Sequence, residues 1–226
     1  MATAATNSGA KDYAAARRFM VDGQIRTNKV TDERLIAALV DLPREQFALG
    51  AQQARAYIDD DLPLGGGRFM MEPMVLARLV QALHVKDGDK VLVIGANTGY
   101  GAALVSQLGA AVTALESDAG LAGAARAVLA GLGGNLPVTV VVGALQDGYV
   151  TGAPYDAIIV EGAVEEIPAS LTDQLKSDGK LVTVQRDLQG GVGRAVLVAK
   201  SGATRVLFDA NTALLPGFAR AQVFAF

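Results

Sequence analysis

The feature that most constrains this chain lies beyond Lys86, where short, almost unbroken runs of Val, Ile, Leu and Ala alternate with helical stretches. Lys90 to Ile94, Val112 to Glu116, Val138 to Val142, Ala157 to Val160 and Leu181 to Val184 are expected as strands. They are too short for helices and too uniformly apolar to have one wet face, so both faces should be buried. Gly99 to Leu108, Asp118 to Leu132 and Pro168 to Leu175 fill the intervals with helical patterning. Crossovers of that length join parallel strands, and their right-handedness leads to an open sheet with helices on both faces. Arg194 to Lys200, Thr204 to Asp209 and Gln222 to Phe226 close the chain as β-rich segments. The expectation is an α/β chain: a doubly wound, mostly parallel sheet of about seven strands, with an antiparallel C-terminal edge strand and a helical N-terminal segment.

That N-terminal segment shows apolar residues at helical spacing, namely Phe19, Met20 and Ile25, then Leu35, Ile36, Leu39 and Val40, with Thr31 as the expected cap. Pro43 opens a further short turn. Asp59, Asp60 and Asp61, followed by Leu62 to Gly67, are expected as loop, and helical patterning resumes at Pro73. The organisation expected is 1–11 as a disordered lead, 12–85 as a helical segment with a substrate-side loop, and 86–226 as the core. Residues 1–10 lack the basic and apolar regions of a secretory signal. The most apolar windows, such as Gly101 to Leu115, are broken by Gln107 and Gly109, short of the roughly 20 residues that span a bilayer.

Charge and composition narrow the function classes. Lys plus Arg is 20 against 23 for Asp plus Glu, so there is no basic excess to hold a phosphate backbone, and no nucleic-acid partner is expected. The chain has no Cys and one His, His84, which removes disulfides, thiolate nucleophiles and sulfur-based zinc sites; no metal is expected. The absence of Cys agrees with a cytoplasmic location. His84 follows an apolar helical face with no nearby Ser or Cys, and reads as a boundary residue rather than a catalytic one.

The strongest local signal is the run Val91-Leu92-Val93-Ile94-Gly95-Ala96-Asn97-Thr98-Gly99-Tyr100, a buried strand entering a Gly-bearing turn and then a helix. Such a turn can present backbone N–H groups to a ligand. Glu116 ends the next strand, 21 residues beyond Gly95 and close to the interval of about 20 at which an acid meets ribose hydroxyls. The turn reads GxNxGxG, with Asn97 where a dinucleotide fingerprint needs its second Gly, so NAD is disfavoured.

The stretch resembles class I S-adenosylmethionine methyltransferases, and the flanks narrow the likeness. Upstream stand Met20-Val21-Asp22-Gly23-Gln24-Ile25, then Leu42-Pro43-Arg44-Glu45-Gln46-Phe47, then Ala56-Tyr57-Ile58-Asp59. Downstream stand Ala153-Pro154-Tyr155-Asp156-Ala157-Ile158-Ile159-Val160 and Ile167-Pro168-Ala169-Ser170-Leu171. In this order they resemble the protein-L-isoaspartate O-methyltransferases along nearly the whole chain. The resemblance implies a Rossmann-like sheet, S-adenosylmethionine as cofactor, and repair of isoaspartyl proteins by methylation of the abnormal carboxylate. It places the cofactor against Gly95, Ala96, Asn97, Gly99, Tyr100, Glu116, Ala144 and Leu145, and the substrate near Met70, Met71, Met74 and Glu161. It marks no catalytic residue: a carboxylate acceptor requires no general base, and catalysis would rest on proximity.

The sequence departs from the family where the chemistry should be. Where the family carries Ser followed by Ala-Pro-His, this chain has Met70-Met71-Glu72-Pro73-Met74, and a thioether cannot donate to a carboxylate. Val93 replaces the family's acid near the end of the first core strand, Asn97 a glycine, and Ala144 the Asp that faces the adenine amino group. These changes argue for reduced or lost activity. Two alternatives therefore stand beside the family's reaction: a non-methylating paralogue that binds or scaffolds, and a methyltransferase with another acceptor. Met70, Met71 and Met74 also read as an apolar plug. Glu161 could bind an amine or act as a base, but beside Glu165 and Glu166 it is expected in water.

Overall fold

The computed structural model describes residues 12–133 and 136–220. The expected lead and the strand at Gln222 to Phe226 lie outside those residues. Leu62–Gly65 (β1) and Arg68–Met70 (β2) pair antiparallel as a small hairpin separate from the main sheet. This corrects the expected loop. Leu62, Leu64, Arg68 and Met70 are buried while the turn is exposed, and Gly65, Gly66 and Gly67 all take positive φ, which glycine adopts without steric penalty.

The main sheet has the order β5-β4-β3-β6-β7-β8-β9. Its strands are β3 (Lys90–Ile94), β4 (Ala111–Glu116), β5 (Val138–Val142), β6 (Tyr155–Val164), β7 (Leu175–Gln185), β8 (Arg194–Ala199) and β9 (Thr204–Asp209). The five strands from β5 to β7 run parallel, and β8 and β9 add an antiparallel edge. This is the expected fold class, with two antiparallel strands among the described residues.

The two faces are covered unequally. On one, Val91, Val93, Ala114, Ile159 and Val182 join a core shared with α1 (Tyr13–Met20), α2 (Glu33–Asp41), α3 (Pro73–Leu83) and α4 (Tyr100–Gln107). On the other, Leu92, Ile94, Leu115, Ile158, Val160 and Leu181 pack under Leu145, Leu171, Leu215 and Phe218. The helix expected over Pro168 to Leu175 is one turn, α6 (Ala169–Thr172), because Gln174 O accepts from Tyr155 N at 2.8 Å and draws the chain into β7. The longer α5 (Ala119–Gly131) links β4 to β5. α2 is capped by Asp32 rather than Thr31: its carboxylate accepts from Arg34 N and Leu35 N. Thr31 N instead donates to Gln81 Oε1 at 2.7 Å.

Register fixes what meets at the carboxyl ends of the strands. Ile94 lies opposite both Leu115 and Val160, so Gly95, Glu116 and Glu161 follow together one residue further on.

Candidate functional site

In an open α/β sheet the crevice beyond those strand ends is where a ligand sits. Here the turn after β3 winds tightly, with Gly95 at φ 73°, Asn97 at 53° and Gly99 at 94°. Its amides are used within the chain. Gly95 N and Ala96 N donate to Leu115 O at 2.9 and 3.1 Å, Asn97 N to a Glu116 oxygen at 2.7 Å and Gly99 N to Ala96 O at 2.8 Å. The expectation that the turn presents its N–H groups outward is thereby corrected for these four.

Glu116 is fully buried, and its carboxylate is saturated. Oε1 accepts from Arg68 Nη1 at 2.5 Å, Ser117 N at 2.7 Å and Asp118 N at 2.9 Å. Oε2 accepts from Arg68 Nη2 at 2.8 Å and Asn97 N at 2.7 Å. A carboxylate offers about four lone-pair directions, so none remains for a diol. Arg68 comes from β2, and its two parallel bonds form the fork that planar guanidinium and carboxylate favour. No expectation from the sequence singled out Arg68; its signal was the alternation of Leu62, Leu64 and Met70 around a glycine turn.

The other wall is filled from the C-terminal side. Residues 212–218 run along the end of β6, with Ala163 N donating to Ala213 O at 2.8 Å and Leu215 N to Ala163 O at 2.9 Å. Leu215 lies against two glycines: a Cβ on Gly95 would come 3.0 Å from its Cδ1, and one on Gly162 would come 2.4 Å from its Cγ. Leu145 is buried in the same apolar cluster, while Ala144 is exposed. Asn97 Nδ2 donates to Phe69 O at 3.0 Å, which ties the turn to the hairpin, while its Oδ1 is buried without a partner among the described residues.

Met70 and Met71 are core residues at 1% exposure, and Met74 is half-buried against the same core. Met71 enters the polar network only through its carbonyl, which accepts from Arg44 Nη2 at 2.7 Å. Val93 is buried in the sheet.

Glu161 departs from the solvated expectation, for it is only 2% exposed and its Oε1 has no partner among the described residues. Burial pushes its carboxyl up to about 8; Arg44 and Arg68 oppose that rise, and Glu116 adds to it. It packs against α4 so closely that a Cβ on Gly101 would fall 1.7 Å from Oε1. Arg44, equally buried, donates to Ala56 O at 2.8 Å and stacks 4.6 Å above the Tyr100 ring. Burial lowers the Arg44 pKa and raises that of Tyr100. Two arginines and two glutamates are therefore buried around the turn after β3, and among the described residues no group of three His, Cys, Asp or Glu could hold a metal. His84 is exposed at the end of α3, in the left-handed conformation. Among the described residues no helix is long and apolar enough to cross a membrane.

A family model described as protein-L-isoaspartate(D-aspartate) O-methyltransferase matches residues 16–210. A protein-L-isoaspartate O-methyltransferase from Methylorubrum extorquens is 40% identical over 171 residues, which are 76% of this chain and 74% of that one. One from Roseiflexus castenholzii is 39% identical over 171 residues, 76% of this chain and 78% of the other. A solved protein-L-isoaspartate O-methyltransferase superposes with a TM-score of 0.77 at 23% identity, covering 89% of this chain and 66% of that one. A Plasmodium falciparum beta-aspartate methyltransferase, solved in complex with S-adenosyl-L-homocysteine, superposes with a TM-score of 0.74 at 17% identity, covering 88% and 97%. The structural likenesses bear on the fold, and the sequence matches, which run through both the hairpin and the turn, carry the assignment: the chain belongs to the protein-L-isoaspartate O-methyltransferase family.

Proposed function

We propose that this chain is an S-adenosylmethionine-dependent protein carboxyl methyltransferase, acting on isoaspartyl carboxylates in damaged proteins, and that the arrangement described above is its closed form. The observation that carries this reading is the 40% identity to a named protein-L-isoaspartate O-methyltransferase over about three-quarters of both chains. An isoaspartyl carboxylate is an anion at neutral pH and brings its own nucleophilic oxygen, so the protein's part is to hold it in line and exclude water.

The closed form does not fit the cofactor. Both oxygens of Glu116 are engaged by Arg68 and backbone amides, and Leu215 rests against Gly95 and Gly162, where a nucleoside would have to lie. A second reading, a family member that binds partners without methylating, is favoured by a specific observation: Met71 and Ala144 offer no polar side chain at the family's substrate and adenine positions.

Calorimetric titration with S-adenosylmethionine and S-adenosylhomocysteine, followed by an isoaspartyl-peptide methylation assay, separates the two. Methyl transfer to the peptide supports the enzyme; no transfer under any condition that loads the cofactor leaves the binding protein.

A further inference from the structure

Resting on that reading, we infer that the crevice is shut by a two-part latch made of this chain, the Arg68 guanidinium of the β1–β2 hairpin and the Leu215 side chain of the 212–218 strap, and that a nucleoside enters only by displacing both. Arg68 takes the two oxygens of Glu116 that a ribose diol would need. Leu215 takes the space that the missing Cβ atoms of Gly95 and Gly162 leave open. One part blocks the polar contact and the other blocks the volume.

The parts are joined. Asp61, at the foot of β1, accepts from Thr212 Oγ1 at 2.5 Å and Ala213 N at 3.2 Å through one oxygen, and from Glu72 N at 2.8 Å through the other. A single carboxylate thus holds strap, hairpin and the start of α3 together, and the two halves of the latch move as one.

The architecture lets the latch swing without breaking the sheet. The hairpin's strand ladder is separate from the main sheet, with Asn97 Nδ2 donating to Phe69 O and its apolar side chains in the core, and its glycine apex is exposed, with nothing within 4 Å of a Cβ built at Gly65, Gly66 or Gly67. The strap is held along β6 by backbone bonds at Ala163 and Glu165, outside the seven-stranded ladder. A diol offers neutral hydroxyls in place of a charged fork, and the charged bonds are the stronger. The latch therefore lowers cofactor affinity rather than merely slowing entry.

The test is calorimetric titration of the full chain with S-adenosylhomocysteine, comparing wild type with Leu215→Ala and Arg68→Met, after circular dichroism has confirmed that each is folded. Leu215→Ala is expected to bind at least tenfold more tightly than wild type. Hydrogen exchange on the bound variant is expected to lose protection in 62–70 and 212–218 together. Because Arg68→Met leaves Glu116 buried without its cation and can unfold, the Leu215 variant decides. Equal affinity for wild type and Leu215→Ala overturns the latch and leaves the proposed function standing. Absence of binding in every folded variant overturns both. Tight binding by the variant with no methylation of an isoaspartyl peptide keeps the latch and removes the enzyme.

Discussion

Glu116, at the end of β4, and Glu161, within β6, lie on either side of β3 at one level of the ladder, and both are buried. Their surroundings differ. Glu116 accepts from a bidentate arginine and three backbone amides, whereas Glu161 has an oxygen without a partner among the described residues and a carboxyl pushed up to about 8, by burial first. Burial alone does not decide whether a carboxylate is satisfied. The number of donors aimed at it does, and those donors come from distant segments.

The largest expected effect comes from breaking the saturated side. Arg68→Met or Glu116→Gln leaves the other charge buried and unpaired, and each should lower stability by about 3–5 kcal/mol, read from urea denaturation. The double variant should lose clearly less than the sum of the two. Additive losses would show that the pair is not coupled.

The other side should respond to pH with a defined sign. The Glu161 carboxyl is raised to about 8 by burial and that of Glu72 to about 7, by burial first and the neighbouring Asp59 next. The folded chain therefore keeps protons that the unfolded chain releases from about pH 4.5 upward, where a carboxyl ordinarily titrates. Their contribution to stability is fully present below that point and is lost as pH rises through 7 and 8. Glu161→Gln should raise the melting temperature at pH 8 and leave a shallower slope between pH 5 and 8, the remainder coming from Glu72. An unchanged slope would place Glu161 in water.

Gly101→Ala tests the same contact from the helix side. A Cβ 1.7 Å from the Glu161 oxygen must displace it, and thermal melting should register a loss of about 1–3 kcal/mol. In the Glu161→Gln background the penalty should persist, because it is steric. Smallest is Asn97→Gly, which removes the bond to Phe69 O together with the orphaned Oδ1 and suits φ 53°, so stability should move by less than about 1 kcal/mol. A larger loss would give that bond a greater part in holding the hairpin.

Much of the frame is legible in the sequence. The five parallel strands, the turn at Gly95 to Tyr100 and the placement of Glu116 at a strand end follow from local apolar runs and from spacing, but β5, at the edge of the sheet, has no fully buried residue and corrects the expectation that all five are covered on both faces. The hairpin was missed because a glycine triplet reads as loop unless the alternation on either side is followed through it. Glu161 was misread because Glu165 and Glu166 suggested a wet loop, whereas β6 continues to Val164 and carries Glu161 inside.

The sequence by itself determined the order of elements and the family, because both are written in short-range patterns and in residues that stay in register along the chain. Only the tertiary structure decided what fills the crevice. Arg68 and Glu116 stand 48 residues apart, and Asp61 and Thr212 stand 151 apart. Nothing in the local patterning of either partner encodes such a pair. It exists because the sheet brings strand ends to one level and the hairpin and strap close over them, where a buried carboxylate must find a donor.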